Sequence, residues 1–156
     1  MSFICLECGE YIPQVVFNYS TNNFGIPLCR YHQNWLQEIE EDKTISEEAL
    51  DLYFELKTRG VPAELEKHDG YKHIDIAIPS VKVNIEVDGK HHIFNARQAL
   101  SDLQRTYYSF RKGYLTLRIP NALVNGYLEE AADFIVEFLM ENQKRLNPPK
   151  WRYRGR

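Results

Sequence analysis

Long apolar runs are missing from this chain of 156 residues, and with them any segment able to cross a bilayer as a helix. The start, Met-Ser-Phe-Ile-Cys, has no basic stretch leading into an apolar one. No secretory signal is therefore expected, and the expected location is cytoplasmic, with no membrane partner. An excess of positive charge is missing too: the net charge is -3, which by itself does not announce a nucleic-acid binder. No internal repeat is visible. Cysteine is scarce, and three residues, an odd count in an intracellular setting, argue against a disulfide framework. What is present suffices for a packed core, with 44% hydrophobic and 13% aromatic residues. The length fits one ordinary domain, or a compact domain with a small appendage. Charge is spread unevenly. The stretch from Glu38 to Asp69 is acidic, whereas Lys144, Arg145, Lys150, Arg152, Arg154 and Arg156 crowd the end with no acid among them.

The cysteines form one pattern, Cys5-Leu6-Glu7-Cys8 and Cys29-Arg30-Tyr31-His32. A C-x2-C pair followed by a C-x2-H pair can set four ligands tetrahedrally on one zinc ion. Free buried thiols, with His32 capping a helix, are the alternative; the use of every cysteine in one pattern favours zinc. Four protein ligands leave no open coordination position, so the zinc is expected to be structural. It would supply folding energy to a segment too short to build its own core. The spacer from Gly9 to Leu28, with Pro13, Asn22-Asn23, Gly25 and Pro27 around apolar Val15-Val16-Phe17, is read as a hairpin. Residues 30–40 are read as a helix with Trp35, Leu36 and Ile39 on its apolar face. Knuckle, hairpin and helix in that order resemble a treble-clef zinc finger.

Ser46 predicts the N-cap of a second helix, with Glu47 and Glu48 in the first turn where the helix dipole favours acids and Gly60 ending it. Residues 63–67 form a candidate short strand. The runs His73–Ile78 and Val81–Asp88, the latter leading into Gly89-Lys90-His91-His92, alternate as strands around a Pro79-Ser80 turn. Ile74, Ile76 and Ile78 face inward, as do Val81, Val83, Ile85 and Val87, which sends Asp75, with His73, and Lys82, Asn84, Glu86 and Asp88 to the opposite side. A helix over about 95–112 follows, with Ala99, Leu103, Tyr107 and Phe110 expected to be its buried face. A strand over 114–119 stops at Pro120, and a last helix over about 122–144 is expected to bury Leu128, Ala131, Ala132, Ile135, Phe138 and Leu139. The order is α-β-β-β-α-β-α, an α/β fold with a mixed sheet. The expected divisions are a zinc-binding module over 1–42, a domain over 43–144 and a basic tail over 145–156.

Pairing of the two middle strands would bring Asp75, Glu86 and Asp88 together near one end of the sheet. Crowded carboxylates cost free energy unless a cation compensates them, so the cluster reads as a divalent-metal site. Hard oxygen ligands select Mg²⁺ or Mn²⁺, and metal-assisted phosphodiester cleavage is the chemistry that fits. His91 or His92 could take a proton from an attacking water or give one to a leaving oxygen. A solvated hairpin, with Asp88-Gly89 present for turn geometry, is the alternative.

These features together resemble the PD-(D/E)XK nuclease superfamily, in particular its branch of small proteins similar to very-short-patch-repair endonucleases. The resemblance covers about residues 45–125. It rests on the element order, on Asp75, on Glu86-Val87-Asp88-Gly89 with His91-His92, and on Asp102-x-x-Arg105 through Lys112-Gly113-Tyr114 to Arg118. It implies a restriction-endonuclease-like αβββαβ core and Mg²⁺ held by Asp75, Glu86 and the main-chain carbonyl of Val87. A first-helix Glu completes such sites; Glu48 fits best, with Glu47 and Glu55 as rivals. Where the family usually has Lys, this chain has Asp88, so that role falls to Lys90, His91, His92 or a second metal. Asp102 and Arg105, at i and i+3, are equally a plain helix-surface pair.

DNA is the expected partner. Candidate contacts are Arg97, Arg105, Arg111 and Lys112, and the tail residues Lys150, Arg152 and Arg154, which alternate with Trp151 and Tyr153. The alternative for the tail is a disordered, solubilising segment. One active site cuts one strand, so double-strand cleavage would need a homodimer. The expected function is metal-dependent DNA endonuclease activity of restriction, homing or mismatch-nicking type. The rivals are an RNA nuclease of the same fold and a catalytically inactive nuclease fold serving as a zinc-stabilised binding module.

Overall fold

The computed structural model describes residues 3–43, 45–68, 73–89 and 95–146. They belong to two compact units, Met1–Ile45 and Ser46–Arg156.

The first unit holds two helices, α1 (Gln14–Phe24) and α2 (Arg30–Asp42), with a single bridge between Ile4 and Tyr11 ahead of them. The hairpin expected over Gly9–Leu28 is therefore replaced by a helix. Pro13 sets an extended N-cap, and Gly25, at φ 73°, ends α1 by donating its N–H to the Thr21 carbonyl at 3.1 Å. The Asn22-Asn23 pair, read as a turn, lies in the last helical turn, where Asn23 Nδ2 donates to the Tyr19 carbonyl at 2.8 Å. Val15-Val16-Phe17 reads as a strand only while its neighbours are ignored; between a Pro start and a Gly stop, one helix face suffices to bury Val16. Ser20 fastens the link to α2, donating to the Ile26 carbonyl at 2.7 Å and accepting from the Leu28 amide at 2.8 Å.

The second unit opens with α3 (Glu47–Thr58), capped as expected by Ser46 Oγ, which accepts from the Ala49 amide at 3.1 Å. Four strands follow, β1 (Glu64–His68), β2 (His73–Ile78), β3 (Val83–Asp88) and β4 (Leu115–Pro120), joined in the order β1-β2-β3-β4. The first three pair antiparallel, and β4 pairs parallel to β3. The crossover from β3 to β4 carries α4 (Ala96–Arg111), and α5 (Asn121–Arg145) follows β4 directly. With five helices and one four-stranded mixed sheet among the described residues, the protein is a mixed α and β structure. No helix among them is long and apolar enough to cross a membrane.

Strand alternation sorts the two faces of the sheet. Ile74, Ile76, Ile78, Val83 and Ile85 are buried, each worth about 1.5–3 kcal/mol. Helices α3 and α5 pack on the sheet, and α3 packs on α5. Arg59, 1% exposed, locks the two helices: it pairs with Glu55 on α3 and with Asp133 on α5 at 2.9 Å. Val81 and Lys82, expected within β3, lie before it. Pro79–Val81 forms a turn of 3-10 helix, and Lys82 takes a left-handed conformation at φ 52°.

Helix α4 is turned over relative to expectation. Leu103, Tyr107 and Phe110 are 60–66% exposed and Ala99 is also exposed, whereas Asp102 and Ser109 are buried. The cause lies in the sheet. Asn84, Glu86, Thr116 and Arg118 share the face beneath α4, and a polar face draws the polar side of the helix. On α5, Ala131, Ala132, Ile135 and Leu139 are buried as expected, Leu128 is half-buried, and Phe138 is partly exposed. A kink at Tyr127, beside Gly126, interrupts this helix.

Candidate metal centre and acidic cleft

Cys5, Cys8, Cys29 and His32 bring their ligand atoms within 4.8 Å of one another. His32 Nδ1 lies 3.1 Å from Cys29 Sγ and 3.6 Å from Cys5 Sγ. Zinc bonds of about 2.3 Å to sulfur and about 2.0–2.1 Å to nitrogen give a tetrahedral S···N edge of about 3.6 Å, so the separations suit one ion. Local structure explains the assembly. Cys5 and Cys8 flank a turn closed by Gly9 N–H on the Cys5 carbonyl at 2.9 Å, with Gly9 at φ 75°. The Leu6 amide bonds the Pro27 carbonyl at 2.7 Å and so ties this turn to the second ligand pair. Cys29 is the N-cap of α2 but makes no capping bond, and His32 follows one turn later on the same side.

The electrostatics match a cation. Burial works against the Cys5 thiolate, yet the backbone groups of Cys8, Cys29 and Glu7 outweigh it and hold the thiol below its ordinary value. Cys8 is pushed up to about 11, first by burial and then by Cys5 and Cys29, a repulsion that a bound cation removes. Three sulfurs and one imidazole suit zinc.

The second unit builds an acidic cleft on the α4 side of the sheet. The β2–β3 register pairs Ile76 with Ile85, which places Asp75 level with Glu86. Asp75 Oδ2 accepts the Val87 amide at 2.9 Å. The parallel register then sets Arg118 beside Glu86, so Asp75, Glu86 and Arg118 form one row across three strands. Asp88 grips Arg118 with both oxygens, at 2.7 Å to Nε and 2.8 Å to Nη2. Asp102 completes the clasp at 3.2 Å from Nη2 and accepts from Gln98 Nε2 at 3.2 Å. Asp88, Asp102 and Arg118 line a cavity of about 480 Å³ between β3, β4 and α4.

Glu48 Oε1 accepts from Asn125 Nδ2 at 3.1 Å, and Glu55 is engaged by Arg59. Among the described residues, the cysteine centre is the one group of three or more metal-ligating side chains, so Asp75 and Glu86 offer two carboxylates and no third. Arg97, Arg111 and Lys112 are exposed on or just after α4, and Arg105 is half-exposed. Arg111 lies over the Tyr107 ring at 6.0 Å and Lys112 over Tyr108 at 5.7 Å. Lys90, His91, His92, Lys150, Arg152 and Arg154 lie outside the described residues. Arg118 was noted in the sequence without a role at the site. Its signal is a cation between Leu117 and Ile119, facing away from its apolar neighbours.

No family model matches the chain, and no curated protein matches it.

Proposed function

We propose that the second unit is a Mg²⁺- or Mn²⁺-dependent endodeoxyribonuclease of the PD-(D/E)XK type, and that the first unit is a zinc-braced module attached to it. The observation that carries this reading is the row Asp75, Glu86, Arg118 on three adjacent strands. The helix, three antiparallel strands, helix and parallel strand that build the row follow the αβββαβ order of that superfamily. Asp75 and Glu86, with the Val87 carbonyl, supply hard oxygen donors. Glu48 belongs to the same reading on resemblance alone. A bound divalent ion would supply Lewis acidity and lower the pKa of water. The chain's own residues orient the phosphate and hold compensating charge around it.

DNA contact falls to the outer face of α4. Exposed Tyr107 and Phe110 interleave there with Arg111 and Lys112, a combination that suits stacking and phosphate contact. Two strands would be cut by two copies of the chain. A second reading, an inactive nuclease fold used for binding, draws on Asp88: the position that carries the family's lysine is closed on Arg118.

Cleavage of supercoiled plasmid by wild type and Glu86→Ala, in Mg²⁺, Mn²⁺ or EDTA, separates the two. Metal-dependent nicking that disappears in the variant supports the enzyme. DNA binding by both proteins, with cleavage by neither across a panel of substrates, supports the module.

A further inference from the structure

We infer that Arg118 is the cation of the cleft that meets the scissile phosphate, standing on β4 where the family has a lysine on β3. This rests on the nuclease reading above. Three observations support it. The β3–β4 register sets Arg118 level with Glu86 on the same face of the sheet, and from there its guanidinium reaches Asp88 and Asp102. Neighbouring strands are about 4.8 Å apart, so Glu86 and Arg118 start one strand spacing from each other.

The second observation is how Arg118 is held. Asp88 takes Nε and Nη2, and Asp102 takes Nη2 again. Among the described residues Nη1 has no protein partner, and the side chain is 32% exposed where it lines the cavity with Asp88, Asp102, Leu103 and Thr106. A clasp made only for stability would be expected to use or bury that last edge. Here two carboxylates fix the plane of the guanidinium and leave one pair of donors available to a ligand.

The third is chemical need. Water adds its oxygen to phosphorus and gives up a proton. The P–O bond to the leaving sugar oxygen breaks, and that oxygen takes a proton. Negative charge grows on the phosphoryl oxygens in between. Asp88 cannot neutralise it. Arg118 keeps its proton throughout and is already immobilised, so its donors stabilise that charge without reorganising.

The experiment measures single-turnover cleavage, metal-free DNA affinity and the thermal midpoint for wild type, Glu86→Ala, Arg118→Met and Arg118→Lys. Loss of a preorganised donor predicts a fall of about 100-fold or more in the rate of Arg118→Met, with DNA affinity within about threefold. Arg118→Lys keeps the charge but loses the forked geometry, and is expected to be slowed about tenfold at an unchanged midpoint. If Arg118→Met fails to fold, Arg118→Lys decides. Wild-type rates in either variant, while Glu86→Ala is dead, overturn the role of Arg118 alone. Absence of metal-dependent cleavage by wild type overturns the nuclease reading and this inference together.

Discussion

Asp75 accepts the Val87 amide through its carboxylate at 2.9 Å, just beyond the rung of the β2–β3 ladder that pairs Ile76 with Ile85. The side chain thus satisfies a main-chain donor on the next strand while remaining beside Glu86. In the proposed function a divalent cation joins these two carboxylates. Under the proposed function, Mg²⁺ should raise the thermal midpoint of wild type, by the equivalent of about 2.7 kcal/mol at 100 times the dissociation constant. Asp75→Asn should lose that gain and be as stable as wild type, or more so, in EDTA. Equal Mg²⁺ stabilisation of both proteins would remove Asp75 from the metal site.

The purified protein should carry one zinc per chain. Cys29→Ser or His32→Ala should lower zinc content and the helical signal of α1 and α2, because among the described residues this unit has little core beyond Cys5, Ile12, Val16, Leu28, Leu36 and Ile45. Cobalt substitution should give the absorption of a tetrahedral three-sulfur site. A metal-free protein whose unfolding ignores chelators would rule out the structural role.

Arg59 couples α3 to α5, and burial opposes its charge while Glu55 and Asp133 hold it above the ordinary value. Arg59→Met should cost about 3 kcal/mol in urea unfolding, at the low end for a broken buried pair because Asp133 is 45% exposed. Restoring part of that loss with Asp133→Asn in the same chain would show that the stranded carboxylate is the cause.

Asp51 is pushed above its ordinary value by burial first and then by Glu47 and Glu48. The fold therefore disfavours the charged form, so the penalty is full above the folded pKa. It fades as pH falls through that value toward the unfolded one, about 3.9. Asp51→Asn should stabilise by about 0.5 kcal/mol or less at pH 7, a figure reduced for solvent screening, with the advantage vanishing in acid. Denaturation midpoints measured from pH 3 to 7 give the sign directly.

Salt dependence tests the outer face of α4. Under the proposed function, Arg111→Ala and Lys112→Ala should each weaken DNA binding on all sequences and reduce the salt slope by about one. Unchanged slopes would move the phosphate contacts elsewhere.

Local chemistry with fixed spacing was legible in the sequence. The four ligands of the cysteine centre and the Ser46 cap depend on neighbours three residues away, and both are in place. The order of strands and helices in the second unit was legible for the same reason. Longer-range balances were not. Val15-Val16-Phe17 has strand propensity, and its helical outcome depends on how the whole spacer ends. Helix α4 has a clear apolar stripe, but the sheet face beneath it is polar, and periodicity alone does not say which side of a helix faces in. Arg118 required the parallel register, which pairs residues separated by about thirty positions.

That same ladder sets an order of events during synthesis. Asp75 and Glu86 emerge close together on strands that pair locally, and Asp88 emerges 30 residues ahead of the guanidinium that it clasps. Parallel pairing has to wait for its crossover helix, so it is the slow, late step of this sheet. A nascent or clipped chain that ends before β4 therefore leaves Asp88 without the guanidinium that clasps it in the complete sheet.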